Sequence, residues 1–341
     1  MKRIKTEDAV GQVLCHDMTQ IIPGVTKDAR FRKGHVVTAE DIPVLLSMGK
    51  DYLYIWEKQE GMLHENEGAR ILCDLCKNEH MSESPVKEGK IELSATCDGL
   101  FSIDVERLDA INSLGEIMIA ARSNPLPVKA GDKLAGTRVI PLVISEEKMN
   151  EAKRIAGDKP LLSLLPYQKK RCGIVTTGNE VFYGRIKDAF SPVVAAKLEE
   201  YGGEVMGVTL CGDDPAGITA AIEAFLADGA DLVVCTGGMS VDPDDRTPAA
   251  IKATGARIVS YGAPVLPGAM FLLSYLDGKP IMGLPGCVMY ARRTIFDLVL
   301  PRVMADDPVT AKDLARLGNG GLCLNCEPCH YPNCGFGKGG V

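Results

Sequence analysis

The sequence predicts an α/β fold built on a mostly parallel sheet, because from Arg171 onward short apolar strands alternate with amphipathic helices. Two further observations complete the class. Residues before Arg171 mix shorter strands and helices into a smaller α+β, β-rich region, and residues 311–341 form a Cys-rich tail. The expected divisions are a mixed α+β region over 1–87, a small β-rich domain over 88–145 and a linker over 146–170. The α/β domain follows over 171–310, then the tail. With 341 residues, 46% hydrophobic and 24% charged, the chain has material for more than one core and does not read as disordered. A net charge of −7 argues against a general nucleic-acid or anionic-membrane coat. It leaves room for a local basic pocket that takes a phosphorylated small molecule.

No apolar run reaches the roughly 18–20 residues of a membrane span. The opening MKRIKTEDAVGQVLCHDM has basic residues without the apolar stretch of a secretory signal. Cys172, Cys211, Cys235 and Cys287 sit in or beside apolar segments, where a free thiol behaves as a small hydrophobe. The expected location is therefore a reducing cytoplasm.

Taken in order, FRKGHVVTAEDIPVLLSMGKDYLYI reads as strand, capped helix, strand, with Thr38 as N-cap and Gly49 ending the helix. A second helix near Glu65–Lys77 carries Cys73 and Cys76, whose spacing lacks the strand-to-helix context of a redox motif. IELSATCDGLFSIDV alternates at period two, and VERLDAINSL suits a short helix. CGIVTTG, EVMGVTL, DLVVCTGG, ARIVSYG, MFLLSYL and KPIMGLPG read as strands. PVVAAKLEEYG, PAGITAAIEAFLADG and TPAAIKATG read as helices, and CVMYARRTIFDLVLPRV as one long closing helix.

In such a sheet, ligands bind beyond the carboxyl ends of the strands. Those ends carry Thr176-Thr177-Gly178-Asn179-Glu180, Gly212-Asp213-Asp214-Pro215, Thr236-Gly237-Gly238-Met239-Ser240 and Gly283-Leu284-Pro285-Gly286. Glycines let backbone N–H groups approach an anion, and helix N-termini add positive potential. One such loop is an ordinary tight turn; four on one rim predict a shared phosphate site. Glu180, Asp213, Asp214, Asp242, Asp244 and Asp245 fall in the same loops. Asp214 before Pro215 and Asp245 before Thr247-Pro248 are also good helix caps. As a group, the acids suit Mg²⁺ held between carboxylate and phosphate oxygens.

TTGNEV, Ser191-Pro192, GDDP, TGGMSVDPDDRTPAA, LPG and GLPG occur in that order. This series resembles the molybdopterin-binding domain shared by molybdopterin adenylyltransferase, molybdopterin molybdotransferase and the CinA proteins, over residues 171–305. The chain as a whole looks most like stand-alone molybdopterin-binding proteins of anaerobic bacteria, which share PGxMFLL, GLPGCVMY and the cysteine tail. The resemblance implies a three-layer α/β sandwich that binds molybdopterin, with adenylated molybdopterin as substrate if the protein is an enzyme. It assigns Thr177, Gly178, Ser191, Gly237, Gly238, Met239, Ser240, Pro267, Gly268, Pro285 and Gly286 to cofactor binding. Glu180, Asp213 and Asp245 match acids tied to catalysis or Mg²⁺, and Asp214, Asp242 and Asp244 are further Mg²⁺ candidates. Two departures stand out. The molybdotransferase's Lys-Pro-Gly-Lys-Pro reads here Val265-Leu266-Pro267-Gly268-Ala269-Met270, without either lysine, and Asp242 occupies a position where the family has glycine.

Three functions follow. The first is insertion of molybdate into adenylated molybdopterin with AMP release. The second is a carrier or insertion chaperone serving a molybdenum hydroxylase, and the third a CinA-like nucleotide pyrophosphatase. The family also implies a homodimer; no nucleic-acid or membrane partner is expected.

In the tail, Cys323, Cys326, Cys329 and Cys334 lie in a Gly- and Pro-rich stretch with little apolar surface. The first three cysteines, spaced x2 and x2, match the start of a ferredoxin-type run, though the spacing to the fourth differs by one residue. Three readings stand: an iron–sulfur cluster, a Zn²⁺ site with His330 as alternative ligand, or free thiols.

Overall fold

The computed structural model describes residues 2–55, 60–240 and 245–339. The chain gathers into two compact units. The first comprises Met1–Ser94, Asp104–Ala121 and Lys133–Leu162; the second comprises Ala95–Ile103, Arg122–Asp132 and Ser163–Val341.

In the first unit, Lys2–Lys5 pairs antiparallel with Tyr52–Ile55, and Met18–Ile22 with Thr26–Phe31. Leu14, Phe31, Leu45 and Leu53 close a small core beneath them. The helix Asp41–Ser47 forms as expected, but Thr38 does not cap it. Glu40 holds the N-cap position, and the Asp41 carboxylate reaches back to accept the Thr38 N–H at 2.8 Å and to meet His35 Nε2 at 2.7 Å. The carboxylate ties the helix start back to residues 35 and 38, and no side chain caps the first-turn N–H groups. Gly49 follows the helix with φ +72°. The helix Glu65–Cys76 begins in a capping box made by His64 and Glu67. A four-stranded sheet runs in the order Met81–Glu83, Lys90–Ala95, Lys133–Val139, Ile117–Ala121.

In the second unit, Leu126–Val128, Gly99–Ile103 and Leu162–Pro166 make a three-stranded sheet. The main sheet uses β1 (Lys170–Thr177), β2 (Gly203–Cys211), β3 (Leu232–Thr236), β4 (Arg257–Tyr261), β5 (Leu272–Leu276) and β6 (Lys279–Leu284). Their order is β2-β1-β3-β6-β5-β4, with β5 antiparallel to its neighbours and the other pairings parallel. The helices of this unit are α1 (Asn179–Phe182), α2 (Phe190–Glu200), α3 (Pro215–Ala227), α4 (Thr247–Ala253), α5 (Ile295–Met304) and α6 (Ala311–Arg316).

Successive strand residues point to opposite faces, so both faces of the buried strands must be apolar. On one face Ile174, Leu232 and Val234 pack with Val194 and Leu198 of α2 and with Phe296 and Leu300 of α5. On the other, Val175, Val233 and Cys235 pack with Ile218 and Ile222 of α3 and Ile251 of α4. The result is a three-layer α/β sandwich.

The closing helix is shorter than its apolar pattern predicts. Gly286–Met289 is a single 3₁₀ turn, and the α-helix starts only at Ile295. Thr294 stops the continuation: its backbone is extended, its side chain accepts the Phe296 N–H, and Asp297 accepts the Thr294 N–H at 2.7 Å. Asp297, 1% exposed, also binds Lys197 Nζ of α2 at 2.5 Å and Arg293 Nη1 at 2.9 Å. One buried carboxylate therefore caps α5 and neutralises two cations. We predict that Asp297→Ala, which strands Lys197 inside the core, lowers unfolding free energy by about 3–5 kcal/mol in urea denaturation.

A second prediction concerns pH in the first unit. Hydrogen bonds from Lys77, Cys73 and Arg70 hold the Glu83 carboxyl down at about 2, against its ordinary 4.5. A depressed carboxyl stabilises the fold above the unfolded pKa, and that contribution fades as pH falls from about 4.5 to about 2. Glu83→Gln should flatten this acid limb of a stability–pH profile and lower stability at neutral pH, where the ionised carboxylate stabilises the wild-type fold.

Candidate functional site

β1 ends in two threonines that face opposite ways, and the site is organised around them. Thr176 Oγ1 lies 2.7 Å from Ser191 Oγ in the first turn of α2, and Thr236 Oγ1 donates to Thr176 Oγ1 at 3.1 Å from the neighbouring strand. Thr177 Oγ1 lies 3.1 Å from Thr247 Oγ1 in the first turn of α4, and Thr247 Oγ1 donates to the Gly237 carbonyl at 2.9 Å. All five hydroxyls are buried. A buried hydroxyl without a partner is costly, so this arrangement fixes both helix N-termini and the Gly237-Gly238 turn to the end of β1.

Gly237 and Gly238 both adopt positive φ, +82° and +57°. A Cβ on Gly237 would stand 2.3 Å from the Thr177 carbonyl oxygen, and one on Gly238 would stand 2.7 Å from Thr247 Oγ1. Only glycine fits. The turn therefore combines close approach with backbone N–H groups beside a helix start, which suits an anion.

Asn179 joins the neighbouring loops. Its N–H donates to Asp213 Oδ2 at 3.2 Å, and its Oδ1 accepts the Asp213 N–H at 3.3 Å. Gly178, with φ +134°, sits against the Glu180 carboxylate, and Glu180 itself is exposed. Asp214 caps α3 by accepting the Gly217 N–H at 2.9 Å, as its position before Pro215 predicts. Asp245 does not cap α4; it accepts the Ser240 N–H at 2.7 Å. Asp242 and Asp244 lie outside the described residues.

Several assigned positions sit deeper than their assignment implies. Met239 is buried at 4%, its sulfur packed where Gly283 leaves room, and the Tyr261 hydroxyl donates to its carbonyl at 2.9 Å. Pro285 is buried, Gly286 and Ser240 are exposed, and Gly268 lies against Ile295 at the start of α5. The Pro267 carbonyl accepts the Ile295 N–H at 3.2 Å. Beside it, Leu266 donates to the Gly321 carbonyl and accepts the Cys323 N–H, both at 2.8 Å. The tail thus clasps the very loop that lacks the two lysines. Val265, 1% exposed, belongs to the core, whereas Ala269 faces solvent.

Magnesium takes one or two carboxylates together with phosphate oxygens. Asp213 and Asp245 each offer such a donor on the rim, although Glu180, Asp213, Asp214 and Asp245 do not bring three ligand atoms within 4.8 Å of one another. The tail thiols as arranged do not fit a compact thiolate site, because Cys323, Cys326, Cys329 and Cys334 bring no three sulfurs within that distance. Among the described residues such a group forms at Cys73, Asp74 and Glu83. There Lys77 and Arg70 already pair with Glu83, and burial pushes the Cys73 thiol up to about 12, so the cluster holds the helix Glu65–Cys76 to the strand Met81–Glu83.

Residues 173–305 match the sequence model of the probable molybdopterin binding domain. This segment belongs to that family. Residues 3–57 match a domain of unknown function. A CinA-like protein of Mycobacterium sp. (strain MCS) is 44% identical over 81 residues, 24% of this chain and 19% of the relative. One from Mycolicibacterium gilvum (strain PYR-GCK) is 49% identical over 78 residues, 23% of this chain and 18% of the relative. The chain therefore spans about a fifth of the length of these curated relatives. Among solved structures, the molybdopterin biosynthesis enzyme MoaB from Thermus thermophilus shows 21% identity and a TM-score of 0.34, covering 41% of this chain and 98% of that one. A MoeA protein from Pyrococcus horikoshii shows 16% identity and a TM-score of 0.33, covering 72% and 81%. No described helix is long and apolar enough to cross a membrane.

Reading the sequence alone missed Thr236, Thr247 and Asn179 as organisers of the molybdopterin-binding domain. Thr247 reads as a helix cap, and nothing in the spacing shows that its hydroxyl is aimed at β1. We predict that Gly237→Ala lowers the melting temperature by several degrees, since the strain of a methyl group there costs about 1–3 kcal/mol. The same variant should lose the ordered Thr177–Thr247 contact, visible as faster amide exchange at Gly238.

Proposed function

We propose that the molybdopterin-binding domain holds molybdopterin by its phosphate at the Gly237-Gly238 turn and serves molybdenum cofactor biosynthesis by inserting molybdate into adenylated molybdopterin. The observation that carries this reading is the pair of positive-φ glycines seated on Thr177, with two helix N-termini hydrogen-bonded to the same strand end. Backbone N–H groups of residues 237–239 would take the phosphate oxygens. Asp213 and Asp245 would hold Mg²⁺ against the adenylyl phosphate, where it supplies electrostatic stabilisation of developing charge. Asn179 fixes Asp213, and the Ser240 N–H fixes Asp245. In the reaction water would attack the adenylyl phosphorus, the bond to molybdopterin's phosphate oxygen breaks and AMP leaves; two Mo–S bonds then form as one molybdate oxygen departs as water with the two dithiol protons.

A second reading, a non-catalytic carrier that hands cofactor to a molybdenum hydroxylase, draws on one observation. The loop that would supply two lysines has Val265 in the core and Leu266 clasped by the tail. By the motif's spacing the two lysines would fall at Leu266 and Ala269, both exposed, so Leu266→Lys and Ala269→Lys should each change stability by no more than about 0.5 kcal/mol. A third reading, cleavage of a nucleotide pyrophosphate, follows from the resemblance of residues 171–305 to the CinA proteins. The same reading carries a homodimer, which light scattering should report as twice 36.6 kDa.

Titration of the full chain with molybdopterin should show saturable binding that Gly237→Ala weakens at least about tenfold. Absence of binding in the wild-type chain overturns the proposal. With adenylated molybdopterin and molybdate, AMP release marks the transferase and its absence with binding intact marks the carrier. AMP released from a nucleotide pyrophosphate without any pterin marks the third chemistry.

A further inference from the structure

The loop that follows β1 carries exposed aromatic rings that phosphate binding does not use. Phe182 is 50% exposed, Tyr183 64% and Ile186 55%, three large apolar residues within five positions. Apolar residues scattered singly over a surface are ordinary, whereas a run of them beside a ligand-binding edge calls for an occupant. The loop is held by its own backbone. The Phe182 N–H donates to the Gly178 carbonyl at 2.9 Å, the Tyr183 N–H to the Asn179 carbonyl at 3.0 Å and the Arg185 N–H to the Glu180 carbonyl at 2.8 Å. The rings are thus placed before any ligand arrives, which spares the cost of ordering them.

Their surroundings fix where they stand. A Cβ on Gly212 would lie 3.5 Å from Phe182 Cδ1, so the Phe182 ring packs on bare backbone just past the end of β2. The next residue is Asp213, tied by two hydrogen bonds to Asn179 at the start of α1. The Phe182 and Tyr183 rings lie 5.2 Å apart at 71°, one a floor and the other a wall. Arg185 Cζ is 5.3 Å from the centre of the Tyr183 ring, and its guanidinium has no carboxylate partner among the described residues.

These features select a chemical group. A half-exposed Phe182 ring is best covered by another flat π-system, and stacking of that kind suits any nucleobase. The unpaired guanidinium suits a group that carries an anion. Strand order separates the nucleotide half of the ligand from the pterin half. With β1 between β2 and β3, the Gly212 end lies two strand spacings, about 10 Å, from the Gly237 turn assigned to the pterin phosphate. It stands instead beside Asp213, the acid assigned to the adenylyl phosphate.

We propose that Phe182 and Tyr183 form the stacking site for the base of the adenylyl group, next to the Asp213 position of its phosphate. The inference rests on the assignment of the rim to adenylated molybdopterin and adds where the base goes.

Calorimetric titration of the full chain in Mg²⁺ buffer with AMP and with ribose 5-phosphate, which has the same sugar and phosphate without a base, tests it. The wild-type chain should bind AMP at least about tenfold more tightly than ribose 5-phosphate. Phe182→Ala should bring the two affinities within about threefold of each other by weakening AMP alone, and Phe182→Trp should keep the preference. Tyr290→Ser, which removes another exposed ring beyond the end of β6, should leave the preference as in the wild type. Unweakened ribose 5-phosphate binding in Phe182→Ala shows that the variant is folded. Equal wild-type affinities, a preference that survives Phe182→Ala, or no binding of either phosphate overturns the proposal. Loss of molybdopterin affinity in Phe182→Ala overturns it too, because the ring then carries the pterin. If the wild-type chain prefers AMP through Phe182 but does not bind molybdopterin, the proposed function fails and the base site stands.

Discussion

Gly237 has to lie against the Thr177 carbonyl with no side chain between them, and the architecture of the rim follows from that contact. The turn brings the Gly237 carbonyl to the Thr247 hydroxyl, and Thr247 in turn reaches Thr177. Because Thr176 and Thr177 alternate across the sheet, the same strand end anchors α4 on one face and α2 on the other. A helix N-terminus is useful for binding only if its position is fixed before the anion arrives. Here it is fixed by hydroxyls that are fully buried and have no better partner than each other.

The loop of residues 265–269 is anchored at Val265, which packs in the core with Phe271, Ile295 and Leu314, while the two lysine positions of the motif, Leu266 and Ala269, face outward. The tail then occupies the backbone edge at Leu266 through paired hydrogen bonds to residues 321 and 323. The cysteines that follow Cys323 inherit their placement from this anchor and from Phe336, which is buried in the same core.

Strand and helix positions in the α/β domain were legible because period-two and period-3.6 patterns are strong in fully buried elements. The exceptions have local causes. Residues 287–294 carry enough apolar character to look helical, but a capping box at Thr294 and Asp297 starts the helix afresh, and a box reads only as an ordinary Thr-x-x-Asp until the flanking turn is known. Thr38 looked like a cap, yet Asp41 was nearer to the groups that needed an acceptor. For the site, glycine and acid positions announced the rim, since no other residues tolerate those turns. Which hydroxyls meet across 15, 60 or 70 residues of chain is set by sheet order and register, and spacing does not encode it.

The two compact units are each assembled from three separated stretches, so the chain crosses from one to the other at 94/95, 103/104, 121/122, 132/133 and 162/163. During synthesis from the amino end, the first unit has all its segments once residue 162 has emerged. The strands Gly99–Ile103 and Leu126–Val128 belong to the second unit, and Leu162–Pro166 is the sheet partner that Gly99–Ile103 must await. Those two short strands spend that interval as loops of the first unit, with unpaired edges that a chaperone or another nascent chain can engage. Neither unit can be excised by a single cut. In evolutionary terms this ties the glycine-rim domain to its amino-terminal companion more firmly than a linker would, because recombination at any one breakpoint separates strands from their own sheets.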